Sequence, residues 1–116
     1  MRLDGVMLFA AELAPMVAFY RDVVGFRPIE ETRLEDRVEF DAGGAAFSLH
    51  QIPPHIGVTP SPAPREAASC KPILAVGDLT AARKRLAGGG ATILDRPGGS
   101  WDFVDPEGNV IGVRER

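Results

Sequence analysis

The segment Trp101-Asp102-Phe103-Val104-Asp105-Pro106-Glu107-Gly108-Asn109-Val110-Ile111-Gly112-Val113 reads as two strands about a four-residue turn. Pro106 presets φ for the second turn residue and Gly108 tolerates positive φ. The Asp105 carboxylate is placed to accept bonds from the turn's own amides. Side chains alternate on both arms. Trp101 and Phe103 share one face, and Asp102 and Val104 the other. After the turn, Ile111 and Val113 share a face opposite Val110, Gly112 and Arg114. Period two on both sides of a turn predicts a hairpin.

Upstream, the same kinds of element recur. Leu3 to Ala10 is mostly apolar, as expected of a strand buried on both faces. Glu12 to Val24 reads as a helix with Pro15 in its first turn, an apolar stripe through Val17, Tyr20 and Val24, and Gly25 as the positive-φ terminator. Phe26 to Thr32 is expected to be a second strand, with Pro28 marking an edge and Glu30 and Glu31 in solvent. Arg37 to Asp41 and Ala45 to Ile52 alternate around a Gly43-Gly44 turn. Pro53 to Ser69 holds five of the ten prolines and little periodicity, so it is expected to be a linker or long surface loop. Pro72 to Val76 is strand-like. Asp78 is a helix N-cap, followed by Leu79, Ala82 and Leu86 at helical spacing up to Gly88-Gly89-Gly90. Those glycines follow a helix and so form a terminator, not a phosphate cradle. Ala91 to Leu94 is another strand, and the hairpin closes the chain. Each half thus runs strand, helix, three strands. The expected fold is α+β, built of two βαβββ modules at 1–52 and 70–116 around the linker 53–69, in one domain spanning 1–116.

Composition removes several function classes. No basic run or stripe is present and the net charge is −3, which argues against nucleic acid and anionic membrane as partners. No apolar stretch approaches the ~20 residues of a membrane span. The first residues lack the basic and apolar regions of a secretory signal, and the single cysteine, Cys70, cannot close an internal disulfide, so a reducing cytoplasm is the expected compartment. Cys70 itself is expected to be a buried, inert thiol.

The Asp105-Pro106-Glu107-Gly108-Asn109 hairpin with Trp101 upstream resembles the closing hairpin of the vicinal-oxygen-chelate superfamily, which holds glyoxalase I, bleomycin-resistance proteins, fosfomycin-modifying enzymes and extradiol dioxygenases. Val17-Ala18-Phe19-Tyr20-Arg21-Asp22-Val23-Val24-Gly25-Phe26 is similar to that superfamily's first helix and its glycine turn. The resemblance covers nearly the whole chain. It implies a curved mixed sheet, a U-shaped cleft with helices outside, and a homodimer; unpaired sheet edges supply a physical motive for dimerisation.

Strand parity assigns the faces. Val6, Leu8, Phe47, Leu49, Leu74, Val76, Trp101, Phe103, Ile111 and Val113 are expected to pack under the helices. Gly5, Met7, Phe9, Ser48, His50, Lys71, Ile73, Ser100, Asp102, Val104, Gly112 and Arg114 are left for the cleft.

The resemblance also implies four metal-ligand positions, usually His and Glu, and these fall on Gly5, Ser48, Lys71 and Gly112. None is a ligand of that kind: glycine has no side chain, serine is a poor ligand, and a lysine ammonium repels a divalent cation. No metal and no other cofactor is therefore expected. His50 is expected to be a polar cleft residue; Asp102, Glu39 and Asp41 are its nearest candidates for joint ligation, without diagnostic spacing. His55 falls in the proline-rich loop. Lys71 and Asp102 are expected to form an ion pair, or else to hold a ligand's anionic or carbonyl group, with Asp102 or His50 exchanging a proton. No Gly-x-Ser-x-Gly elbow accompanies Ser48 or Ser100.

The leading expectation is a metal-independent binding protein of the bleomycin-resistance type. It would grip a small molecule with Met7, Phe9, Ser48, His50, Lys71, Ile73, Asp102, Val104 and Arg114. The alternatives are a glyoxalase-like lyase or isomerase, or a dioxygenase relative, working through a metal site around His50 or through metal-free acid–base chemistry of His50, Lys71 and Asp102, and a non-catalytic partner or regulatory domain.

Overall fold

The computed structural model describes residues 1–56 and 64–116. The chain forms two compact units, Met1–Pro60 and Ser61–Arg116. The expected linker spans the boundary, and its residues 57–63 lie outside the described ones.

The first unit contains β1 (Gly5–Ala10), a helix, and β2 (Arg27–Pro28), β3 (Arg37–Asp41) and β4 (Ala46–Gln51). The sheet order is β1-β4-β3-β2, with β1 parallel to β4 and the other pairs antiparallel. The helix, α1, runs Leu13–Ala18 and continues as a π-helical stretch over Phe19–Val24. Gly25, at φ +93°, ends it, and the Gly25 and Phe26 amides both donate to the Tyr20 carbonyl. Tyr20, Phe40, Leu49 and Val38 are fully buried, and the Tyr20 ring lies 4.6 Å from Phe47.

The expected strand over Phe26–Thr32 is cut short. Pro28 has no amide hydrogen to extend the ladder, and Glu30–Thr32 turns into a 3-10 segment closed by the Thr32 hydroxyl, which donates to the Ile29 carbonyl at 3.2 Å. Glu30 and Glu31 are exposed.

The second unit repeats the plan with β5 (Ile73–Val76), α2 (Leu79–Gly88), β6 (Thr92–Asp95), β7 (Trp101–Val104) and β8 (Val110–Glu115). Its order is β5-β8-β7-β6, again with one parallel pair, β5 with β8. Asp78 caps α2 by accepting from the Ala81 amide at 3.0 Å. The closing turn forms as its residues dictate. Asp105 Oδ1 accepts from the amides of Glu107 and Asn109, and Oδ2 from the Asn109 side-chain amide at 2.8 Å. Phe103, Ile111, Trp101 and Leu86 form the buried side. Together the units make the α+β architecture of two four-stranded mixed sheets and two helices.

The described end of the proline-rich stretch is tethered rather than loose. The Arg65 amide donates to the Gly108 carbonyl at 2.8 Å and the Arg65 side chain to the Glu107 carbonyl. Cys70, which precedes β5, is exposed, contrary to the expectation of a buried thiol. Among the described residues no helix is long and apolar enough to cross a membrane.

Candidate ligand-binding site

Register in the first unit aligns two rows of side chains on one face. Met7 lies opposite Ser48, which lies opposite Glu39; Phe9 lies opposite His50, which lies opposite Arg37. Residues directly opposite share a face, so these six stand together. Met7 and Phe9 are exposed, whereas Ser48 is buried. His50 Nε2 stands 3.3 Å from Asp36 Oδ2, and its ring lies 6.2 Å from Phe9. Asp36 thus replaces Glu39 and Asp41 as the acid nearest His50. Glu39 approaches the Thr32 hydroxyl, and Asp41 binds the Gly43 amide and Arg27.

The second unit carries the denser constellation. One row runs Ile73, Gly112, Asp102, Leu94 across four strands. Asp102 is a carboxylate only 4% exposed. Burial of a charge this complete requires partners, and two cations provide them. Arg96 Nε donates to Oδ2 at 2.8 Å, and Lys71 Nζ stands 3.3 Å from Oδ2 and 3.5 Å from Oδ1. Arg96 Nη2 also donates to both oxygens of Glu66, at 3.0 and 3.1 Å. Glu66 first, and Asp102 second, hold the Arg96 guanidinium above its ordinary pKa. The expected Lys71–Asp102 pair is therefore present, but as the looser half of a four-residue network.

Arg96 escapes a reading that ends the strand at Leu94. Extending the β6 alternation two residues past Leu94 puts Arg96 on the Asp102 face, and its amide still pairs with the Ser100 carbonyl. Glu66 leaves no sequence signal, because it lies 30 residues from Arg96 in a stretch without periodicity.

A concavity of about 480 Å³ borders this network, lined by Lys71, Ile73, Arg96, Asp102, Gly112 and Arg114 among others. Ile73 is 51% exposed there and supplies an apolar wall. Val104, expected on the cleft face, is buried beside its partner Val110 and does not border the concavity. Trp101 is buried, with the Arg83 guanidinium of α2 5.8 Å from its ring, so it packs chiefly in the core although it borders the concavity.

The positions that the resemblance assigns to a metal do not suit one. A Cβ on Gly5 would lie 2.6 Å from the Ala46 carbonyl oxygen, a backbone atom, so no side chain fits there. Gly112 gives room to Ile73: a Cβ would lie 3.2 Å from Ile73 Cγ1. Lys71 brings a positive charge and already leans on Asp102. Among the described residues no three His, Cys, Asp or Glu side chains gather as a metal site would require.

The sequence model of the Glyoxalase/Bleomycin resistance protein/Dioxygenase superfamily matches residues 2–113. Among solved structures, a glyoxalase/bleomycin resistance protein/dioxygenase family enzyme from Burkholderia phytofirmans PsJN is similar with a TM-score of 0.78 at 19% identity, covering 99% of this chain and 98% of that one. TnmS3, an antibiotic binding protein from Streptomyces sp. CB03234, gives 0.70 at 22% identity, covering 99% and 95%. A lactoylglutathione lyase from Agrobacterium tumefaciens gives 0.65 at 24%, covering 98% and 92%. No curated protein matches the sequence.

Proposed function

Because the chain belongs to the glyoxalase/bleomycin resistance protein/dioxygenase superfamily, we propose that it binds a small organic molecule in the concavity of its second unit, without a metal ion. The observation that carries this reading is the network itself. A buried carboxylate is fixed by Arg96 and Lys71 at the edge of a concavity with an exposed apolar wall, which is the mixture of orienting charge and apolar contact that small-molecule sites use. The glycines at 5 and 112 and the ammonium of Lys71 support independence from metal. The fold shared with an antibiotic binding protein is compatible with a sequestering role.

Acid–base catalysis by Asp102 is less well supported. The carboxylate is only 4% exposed and its Oδ2 already accepts from Arg96 at 2.8 Å, so it offers little to a substrate. In the first unit, Met7, Phe9, Ser48 and His50 form a second, more open face of the same mixed character, proposed as an additional contact surface.

Metal analysis of the purified protein is expected to find well below one equivalent of zinc, nickel, manganese or iron. Near-stoichiometric metal overturns the reading. A thermal-shift screen of neutral aromatic and polycyclic compounds is expected to give hits that Ile73→Glu weakens. A flat screen favours a partner or regulatory domain instead. We further propose a homodimer. Each sheet ends in two edge strands, β1 and β2 or β5 and β6, and open edges favour pairing with a second copy. A monomer at micromolar concentration by light scattering removes that proposal.

A further inference from the structure

Three cations, Lys71, Arg96 and Arg114, and two carboxylates, Asp102 and Glu115, border the concavity of the second unit. Their engagement is unequal. Asp102 is held by Arg96 and approached by Lys71, and Glu115 Oε1 accepts from the Leu79 amide at 3.1 Å. A cationic ligand would therefore find Asp102 already held and one oxygen of Glu115 already engaged. Among the cations, Arg96 spends Nε on Asp102 and Nη2 on Glu66. Lys71 is different. Its ammonium has three donors, and among the described residues it meets only Asp102, at 3.3 and 3.5 Å. Those distances exceed the usual length of a charge-assisted bond, so the contact is weak and gives way at little cost. The Lys71 side chain is 47% exposed. Exposed Ile73 stands beside it on the same wall.

We propose that this site selects small organic acids: the ligand's carboxylate takes the free donors of Lys71, and its apolar body lies against Ile73 and Gly112. The inference rests on the reading that the concavity binds a small molecule, and it adds the class. Asp102 then acts as a positioning residue that keeps the ammonium at the rim while Arg96 meets its own need for charge. An inorganic oxyanion such as phosphate would satisfy Lys71 but leave the apolar wall and most of the 480 Å³ unused. An organic acid uses both.

The test is calorimetric titration of the full chain with 1-naphthoate, 1-naphthamide and inorganic phosphate. The acid is expected to bind at least about tenfold tighter than the amide, to weaken as salt is raised, and to fall to the level of the amide in Lys71→Met. Phosphate is expected to bind more weakly than naphthoate. Lys71 is half-exposed, so the variant should fold; an unchanged Tm checks this. Equal affinity for acid and amide, or a Lys71→Met protein that keeps its preference for the acid, overturns the acid assignment and leaves small-molecule binding standing. Phosphate binding as tightly as naphthoate overturns the organic class. Failure of both acid and amide to bind overturns this inference, while the neutral-compound screen judges the broader reading separately.

Discussion

Arg96 holds Asp102 at 2.8 Å, whereas Lys71 stands 3.3 Å from the same oxygen. The arginine, fixed just beyond β6, is the structural partner of the buried carboxylate. The lysine is the adaptable one. Lys71→Met is therefore expected to leave stability within about 1 kcal/mol of the wild type, because the lysine is half-exposed and Arg96 still pairs with Asp102. Arg96→Met is expected to cost clearly more, because it leaves Asp102 buried beside a single distant ammonium. Urea midpoints of the two variants check the order. A Lys71→Met protein less stable than Arg96→Met would reverse the assignment.

Two glycines are expected to respond oppositely to the same added methyl. In Gly5→Ala the new Cβ meets the Ala46 carbonyl oxygen at 2.6 Å, and backbone in a parallel ladder moves only with the sheet. A loss of about 1–3 kcal/mol is expected. In Gly112→Ala the nearest atom, 3.2 Å away, belongs to the half-exposed Ile73 side chain, which can turn aside. That change should stay within about 1 kcal/mol. Chemical denaturation followed by Trp101 fluorescence measures both.

The closing turn depends on one carboxylate. Asp105→Ala removes the acceptor of three bonds from Glu107 and Asn109 at a buried position. A loss of about 2–3 kcal/mol is expected. Asp105→Asn keeps one acceptor oxygen and should lose less. Equal losses in the two variants would show that shape rather than acceptor number matters.

Asp41 makes part of the acid sensitivity. The Gly43 amide, and after it the Arg27 guanidinium, hold the Asp41 carboxyl below its usual range. A folded-state pKa below the unfolded one stabilises the protein above the ordinary Asp value, and the gain is lost as pH falls through the folded value. The stability gap between wild type and Asp41→Ala should therefore be full above about pH 5 and shrink from about pH 4 downward. Urea midpoints across that range give the curve, and a gap independent of pH refutes the assignment.

The sequence by itself determined the elements whose causes are local. The Asp105–Gly108 turn, the Asp78 cap, the glycine that ends α1 and the alternation in β3, β4, β7 and β8 all follow from interactions within a few residues. Two βαβββ units and the face of each strand come directly from that periodicity. Only the tertiary structure decided the rest. β2 shrank because Pro28 cannot donate and Thr32 found a partner in its own turn. Cys70 is exposed, and His50 meets Asp36 through the pairing of β3 and β4. The network of Lys71, Asp102, Arg96 and Glu66 joins a tethered loop, a strand and a turn across 30 or more residues of sequence. Long-range ion pairs leave no period to read: a buried charge announces that it needs a partner, and only folding selects which one.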